Sequence, residues 1–167
     1  MDKEALLDEV EYKAFNYEKK YSICCQSTLF ALQEALKIQD DTVLKVSYAL
    51  AGGGGATGEG FCGALTGGII AIGMKYGYGE EELGTTELGP AMQLAKVLID
   101  RFIQEYGSPI CKDIQKVLFG KVYNFWDPKQ HEEMVEAGAL IDKCVNVVGK
   151  GARWAAEIII EAGEMGV

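Results

Sequence analysis

The sequence predicts an all-α, single-domain bundle of about five to seven helices spanning residues 1–167, with a glycine-rich loop ahead of one of them. Three observations carry this. Apolar residues recur at three- and four-residue steps along most of the chain. No set of alternating segments can build a sheet. No internal repeat or long low-complexity linker divides the chain, and 167 residues are enough for one core.

The elements follow in order. Leu7, Val10, Ala14, Tyr17 and Tyr21 give a first amphipathic helix, and the pattern resumes with Cys25, Leu29, Leu32 and Leu36. Asp40 or Asp41 caps a short helix running toward Leu50. Residues 52–60 form the glycine-rich loop, and a helix follows from about Phe61 to Tyr76. Its glycines cost helix propensity, roughly 1 kcal/mol each against alanine. They need a compensating reason, such as the close approach of another helix. Pro90 suits the first position of the next helix, which carries Met92, Ala95, Ile99, Phe102 and Tyr106 on one face. Ser108-Pro109 reads as an N-cap followed by proline at the first helical position. Asp127-Pro128 repeats the device, with Gln130 placed to close a capping box. A last helical region carries Met134, Gly138, Ile141, Val145 and Val148, breaks weakly at Gly149-Lys150-Gly151, and continues through Trp154 and Ile158.

Charge narrows the function. The formal net charge is −9. An acidic surface repels phosphate backbones and anionic lipid, so nucleic acid and membrane are not expected partners. The charged N-terminus has no apolar signal core behind it, which points to the cytoplasm. The five cysteines, Cys24, Cys25, Cys62, Cys111 and Cys144, are therefore not expected to form a static disulfide framework. Cytosolic cysteines in this number are reduced core residues, metal ligands or redox-active thiols.

Gly53-Gly54-Gly55-Ala56-Thr57-Gly58 fits G-x-G-x-x-G, a dinucleotide-binding pattern. The context argues against it. Such a site needs a parallel sheet of several βαβ units, and no Lys-Ser or Lys-Thr follows the glycines to make the other phosphate loop. A loop that lets the backbone pass close to a packed neighbour is the better reading.

The cysteines differ in their expected surroundings. With Ser108 as N-cap, Cys111 falls in the first turn of a helix, beside Lys112. Unpaired N–H groups, the helix dipole and the ammonium all favour a thiolate there. Cys62 also opens a helix. Gly63 leaves the backbone beside it uncovered, with room for a disulfide, a persulfide or a bound cluster, so Gly63 and Gly67 mark the candidate cofactor-binding face. Cys144 reads as a mid-helix structural cysteine beside the Ile141–Val145 stripe. Cys24 and Cys25 point about 100° apart on a helix, so only one of them faces a shared site. Cys25 aligns with the core positions Leu29, Leu32 and Leu36, and Cys24 with the small face Thr28, Ala31 and Ala35. His131, the single histidine, reads as a surface residue.

Cys62-Gly63-Ala64-Leu65-Thr66-Gly67 reads C-G-A-x-x-G. It follows a glycine-rich loop and precedes an apolar run. Upstream stands Cys24-Cys25-Gln26-Ser27-Thr28; downstream stand Cys111-Lys112-Asp113-Ile114 and then Cys144. This order resembles the C_GCAxxG_C_C family of redox-active proteins, which is marked by four cysteines and a CGAxxG element. The resemblance runs from about Tyr21 to Val148 and implies that Cys24, Cys62, Cys111 and Cys144 are the family cysteines. Cys25 stands where a small residue is more usual.

The leading expectation is a cytoplasmic redox protein of oxidoreductase type whose four cysteines converge on one end of the bundle and serve an unnamed redox partner. Two chemistries compete. Cys62 or Cys111 is an activated thiolate that another cysteine resolves as a disulfide. Alternatively, Cys24, Cys62, Cys111 and Cys144 hold an iron–sulfur cluster or another thiophilic metal. A different class is a helical interaction module, forming a homodimer through its small-residue faces, with inert buried cysteines.

Overall fold

The structure is a computed structural model describing residues 2–166. Eight α-helices occur among the described residues: α1 Lys3–Tyr21, α2 Cys24–Leu36, α3 Asp41–Ser47, α4 Gly63–Tyr76, α5 Pro90–Tyr106, α6 Cys111–Phe119, α7 Pro128–Glu136 and α8 Cys144–Glu164. Two 3-10 turns, Tyr48–Leu50 and Glu80–Glu82, lie between them. No strand ladder is present among the described residues; one isolated antiparallel bridge joins Phe61 to Ile110.

The all-α expectation holds, but the helix count exceeds the predicted range. The C-terminal region is two helices rather than one. Gly138, at φ +98°, ends α7, and its carbonyl accepts the N–H groups of Ile141, Asp142 and Lys143. The expected break at Gly149 to Gly151 does not occur, and both glycines lie inside α8. They are small because neighbours press on them. A methyl group on Gly151 would lie 3.0 Å from Phe102 and 3.2 Å from Ala64. Close packing therefore offsets the propensity cost.

Local capping starts several helices where the residue chemistry demands. The Asp40 carboxylate accepts the N–H groups of Thr42 and Val43 and starts α3. Pro90 opens α5. Asp127 accepts from Lys129 and Gln130 and starts α7; the Gln130 amide reaches the Asp127 carboxylate rather than its backbone N–H. Ser108 is displaced from its expected role. The helix begins at Cys111, two residues later than a Ser108 cap requires, and Ile110 is the N-cap. The Ser108 hydroxyl instead accepts from the Ile110 N–H and donates to Asp113.

The core lies among α1, α2, α4, α5 and α8. Leu7 and Val10 from α1, Leu29 and Leu32 from α2, Leu65 and Ile72 from α4, Phe102 from α5 and Ala152 and Ala155 from α8 are fully buried. The glycines of α4 let α2 approach. A methyl group on Gly67 would lie 2.6 Å from the Cys25 carbonyl oxygen. No described helix is long and apolar enough to cross a membrane.

Candidate functional site

The four family-pattern cysteines sit at four helix N-termini. Cys24, Cys111 and Cys144 are the first residues of α2, α6 and α8, and Cys62 is the N-cap of α4. Cys144 is thus not the mid-helix residue that the long C-terminal periodicity predicts, because Gly138 interrupts that helix ahead of it. All four thiols line one cavity of about 290 Å³. Its remaining wall is mainly apolar, with Ile114, Leu118, Phe125 and Val147 among its residues. Cys25 does not line it. It is fully buried, and its thiol meets the Ser47 hydroxyl on α3. His131 lies largely exposed but contributes to the cavity lining.

The segment from 52 to 61 bonds two of these cysteines and leads directly into a third. The Gly52 N–H donates to Cys24 Sγ at 3.4 Å. The Gly60 and Gly58 carbonyls accept the N–H groups of Cys111 and Lys112, each at 2.9 Å. The Cys62 N–H donates to the Pro109 carbonyl at 2.9 Å. Gly53, at φ +79°, lies so close to α6 that a methyl group on it would stand 3.0 Å from Cys111 Cβ. The glycines thus serve a close backbone approach to α6. Gly63 and Gly67 do not line the cavity; both lie at the α2–α4 crossing. A methyl group on Gly63 would fall 2.1 Å from Cys24 Sγ.

The acid–base chemistry is the reverse of the sequence expectation for Cys62 and Cys111. Burial holds the Cys62 thiol well above its ordinary value, and neighbouring Cys111 adds to this. The Ala64 and Leu65 N–H groups at the start of α4 oppose the shift without overcoming it. Burial also raises Cys111, opposed by the Gln115 amide, which donates to its Sγ at 3.8 Å. The first N–H groups of α6 are already bound to loop carbonyls, and the Lys112 ammonium pairs with Glu59. Neither is free for the thiolate. Cys24 is held well above its ordinary value by burial first and then by Glu18, eased by the Gly52 N–H. Cys144 is pushed up to about 12 by burial, then Glu18 and Cys111. The reduced site is therefore a set of neutral thiols.

Two further residues belong to this site. Gln115 is buried, accepts the Tyr123 N–H on Oε1 and supports Cys111 through its amide. Its signal is the four-residue spacing from Cys111 along one helix face. Glu18 lines the cavity from the last turn of α1. Its signal is a charge in line with Leu7, Val10 and Ala14, where the helical repeat calls for an apolar residue. Among the described residues no group of three or more His, Cys, Asp or Glu side chains is placed to hold a metal ion. The four thiols border the cavity without forming a ligand cage.

No curated protein and no solved structure matches the chain. Residues 22–158 match one protein family, described as "Putative redox-active protein (C_GCAxxG_C_C)". That stretch contains all four cavity cysteines, and the chain belongs to the C_GCAxxG_C_C family.

Proposed function

We propose that this protein is a thiol–disulfide redox protein whose working thiols are drawn from Cys24, Cys62, Cys111 and Cys144. One observation carries the reading. These four cysteines come from four separate helices onto one cavity, whereas the fifth, adjacent to Cys24 in sequence, faces elsewhere. In the reaction two cavity thiols become one disulfide and give up two electrons and two protons. A disulfide on a redox partner takes them and leaves as two thiols. The thiol pair and the disulfide are both uncharged, so the exchange leaves no buried charge in the cavity.

The test is differential alkylation with peptide mass spectrometry, run on protein poised in reduced and oxidised thiol buffers. The expected result is one reversible disulfide among the four cavity cysteines, with Cys25 reduced throughout. Five thiols that stay unmodified until unfolding would support the interaction-module reading instead. Iron with a sulfide-to-iron absorption band in anaerobically purified protein would support the cluster.

A further inference from the structure

We propose that the Glu18 carboxyl group is the proton relay of the cysteine cavity, taking the proton of Cys24 as that thiol attacks a disulfide and returning it to the thiolate that leaves. This rests on the thiol–disulfide reading above.

The placement is structural. Ser22, at φ 54°, stops α1, and its N–H donates to the Glu18 carbonyl at 2.9 Å. Only Ser22 and Ile23 separate α1 from Cys24, the first residue of α2. The tight turn sets the last turn of α1 beside the first turn of α2, and both border the cavity. The Glu18 side chain is 5% exposed, and its Oε2 has no hydrogen-bond partner among the described residues.

A buried carboxyl oxygen without a partner calls for an explanation. A salt bridge does not supply one, because no lysine or arginine is among the described residues lining the cavity. The titratable groups facing it there are Cys24 from α2, Cys144 from α8, Cys62 ahead of α4, Cys111 from α6 and His131 from α7. Ser27 of α2 lies close enough to favour the carboxylate, but its buried hydroxyl and Glu18 Oε2 are both left without a formed hydrogen bond. On its own helix Lys19, Lys20 and Tyr21 are exposed. Burial raises the Glu18 carboxyl to about 7, against the opposing effect of Ser27. A group with that value both accepts and releases protons at neutral pH. Its charge acts on Cys24 and Cys144, the two thiols whose ionisation it disfavours most directly.

The steps balance. The Glu18 carboxylate takes the Cys24 proton as the sulfur attacks one sulfur of the partner disulfide. The partner S–S bond breaks, a mixed disulfide forms on Cys24, and the leaving thiolate receives the proton from Glu18. A second cavity thiol then attacks the Cys24 sulfur. Its proton passes by the same route to the second leaving thiolate. Two cavity thiols and one disulfide become one cavity disulfide and two thiols, and Glu18 ends as it began.

The experiment measures single-turnover reduction of hydroxyethyl disulfide by reduced wild-type, Glu18→Gln and Glu18→Asp proteins, from mildly acidic to mildly alkaline pH. Circular dichroism checks each fold. The wild-type rate should rise through a step near pH 7. Glu18→Gln should lose that step and react roughly a hundredfold more slowly on its alkaline side. Glu18→Asp should keep the step at an intermediate rate. A glutamate acting only as a negative charge predicts the opposite, since its removal eases thiolate formation; Glu18→Gln reacting as fast as wild type or faster overturns the relay alone. Wild-type protein that forms no cavity disulfide overturns the thiol–disulfide reading and the relay with it. The infrared band of a protonated carboxyl, present below pH 7 in wild type and missing in Glu18→Gln, identifies the titrating group independently of any thiol.

Discussion

Cys24 and Cys25 share a peptide bond, yet they belong to different regions of the molecule. Cys24 opens onto the cavity with Glu18 and three other thiols, and a loop N–H reaches its sulfur. Cys25 is fully buried, with its thiol against the Ser47 hydroxyl of α3. Burial raises both thiols, Cys25 to about 12. Desolvation alone therefore does not distinguish a working cysteine from a structural one. The difference lies in company: Cys24 has titratable neighbours with which it can exchange protons or electrons, and Cys25 has a hydroxyl.

The largest test of this contrast is a pair of substitutions. Cys24→Ser should abolish any cavity disulfide that uses Cys24, whereas Cys25→Ser should leave the disulfide pattern unchanged. Peptide mapping after differential alkylation reads the outcome, and identical behaviour of the two variants would dissolve the distinction.

The next effect is on stability and comes from Glu18, which acts on Cys24 and not on Cys25. Its carboxyl lies near 4.5 in the unfolded chain and about 7 when folded. Burying the carboxylate thus costs nothing below the unfolded value. The penalty grows as pH rises between the two values and is complete above pH 7. Glu18→Gln should therefore match wild type in acid and exceed it by up to about 3 kcal/mol in mild alkali, measured by urea unfolding. A constant difference across pH would show that the carboxylate is not buried in solution.

The smallest effect concerns the crossing that lets Cys24 occupy its place. Gly63→Ala puts a methyl group 2.1 Å from Cys24 Sγ and 3.0 Å from the Cys25 backbone nitrogen. The Cys24 side chain must turn away, at a cost of about 2 kcal/mol. Urea unfolding measures the loss, and a change in Cys24 alkylation without one in Cys25 shows which side of α2 yields.

Much of the fold was legible because helix starts are local. Asp40, Pro90 and Asp127 each act within one turn of their own position. The C-terminal helix boundary was not, because whether a glycine breaks a helix depends on what packs against it. Gly138 turns the chain, while Gly149 and Gly151 make room for α1, α4 and α5. The membership of the cysteine set was visible as an ordered pattern, but its convergence is a tertiary fact. The direction of the thiol shifts was illegible for the same reason. A helix start favours a thiolate locally, and only the assembled fold shows that the loop carbonyls consume the N–H groups of α6 and that burial dominates. Glu18 could have been found by extending the stripe of Leu7, Val10 and Ala14 by one more turn.

Because each cavity cysteine begins a different helix, a disulfide between two of them would tie two rods together at one end, while core packing already holds them farther along. The chain segment enclosed would range from short to most of the protein, depending on which partner Cys24 chooses. Redox state would then be written into the mechanics of the bundle.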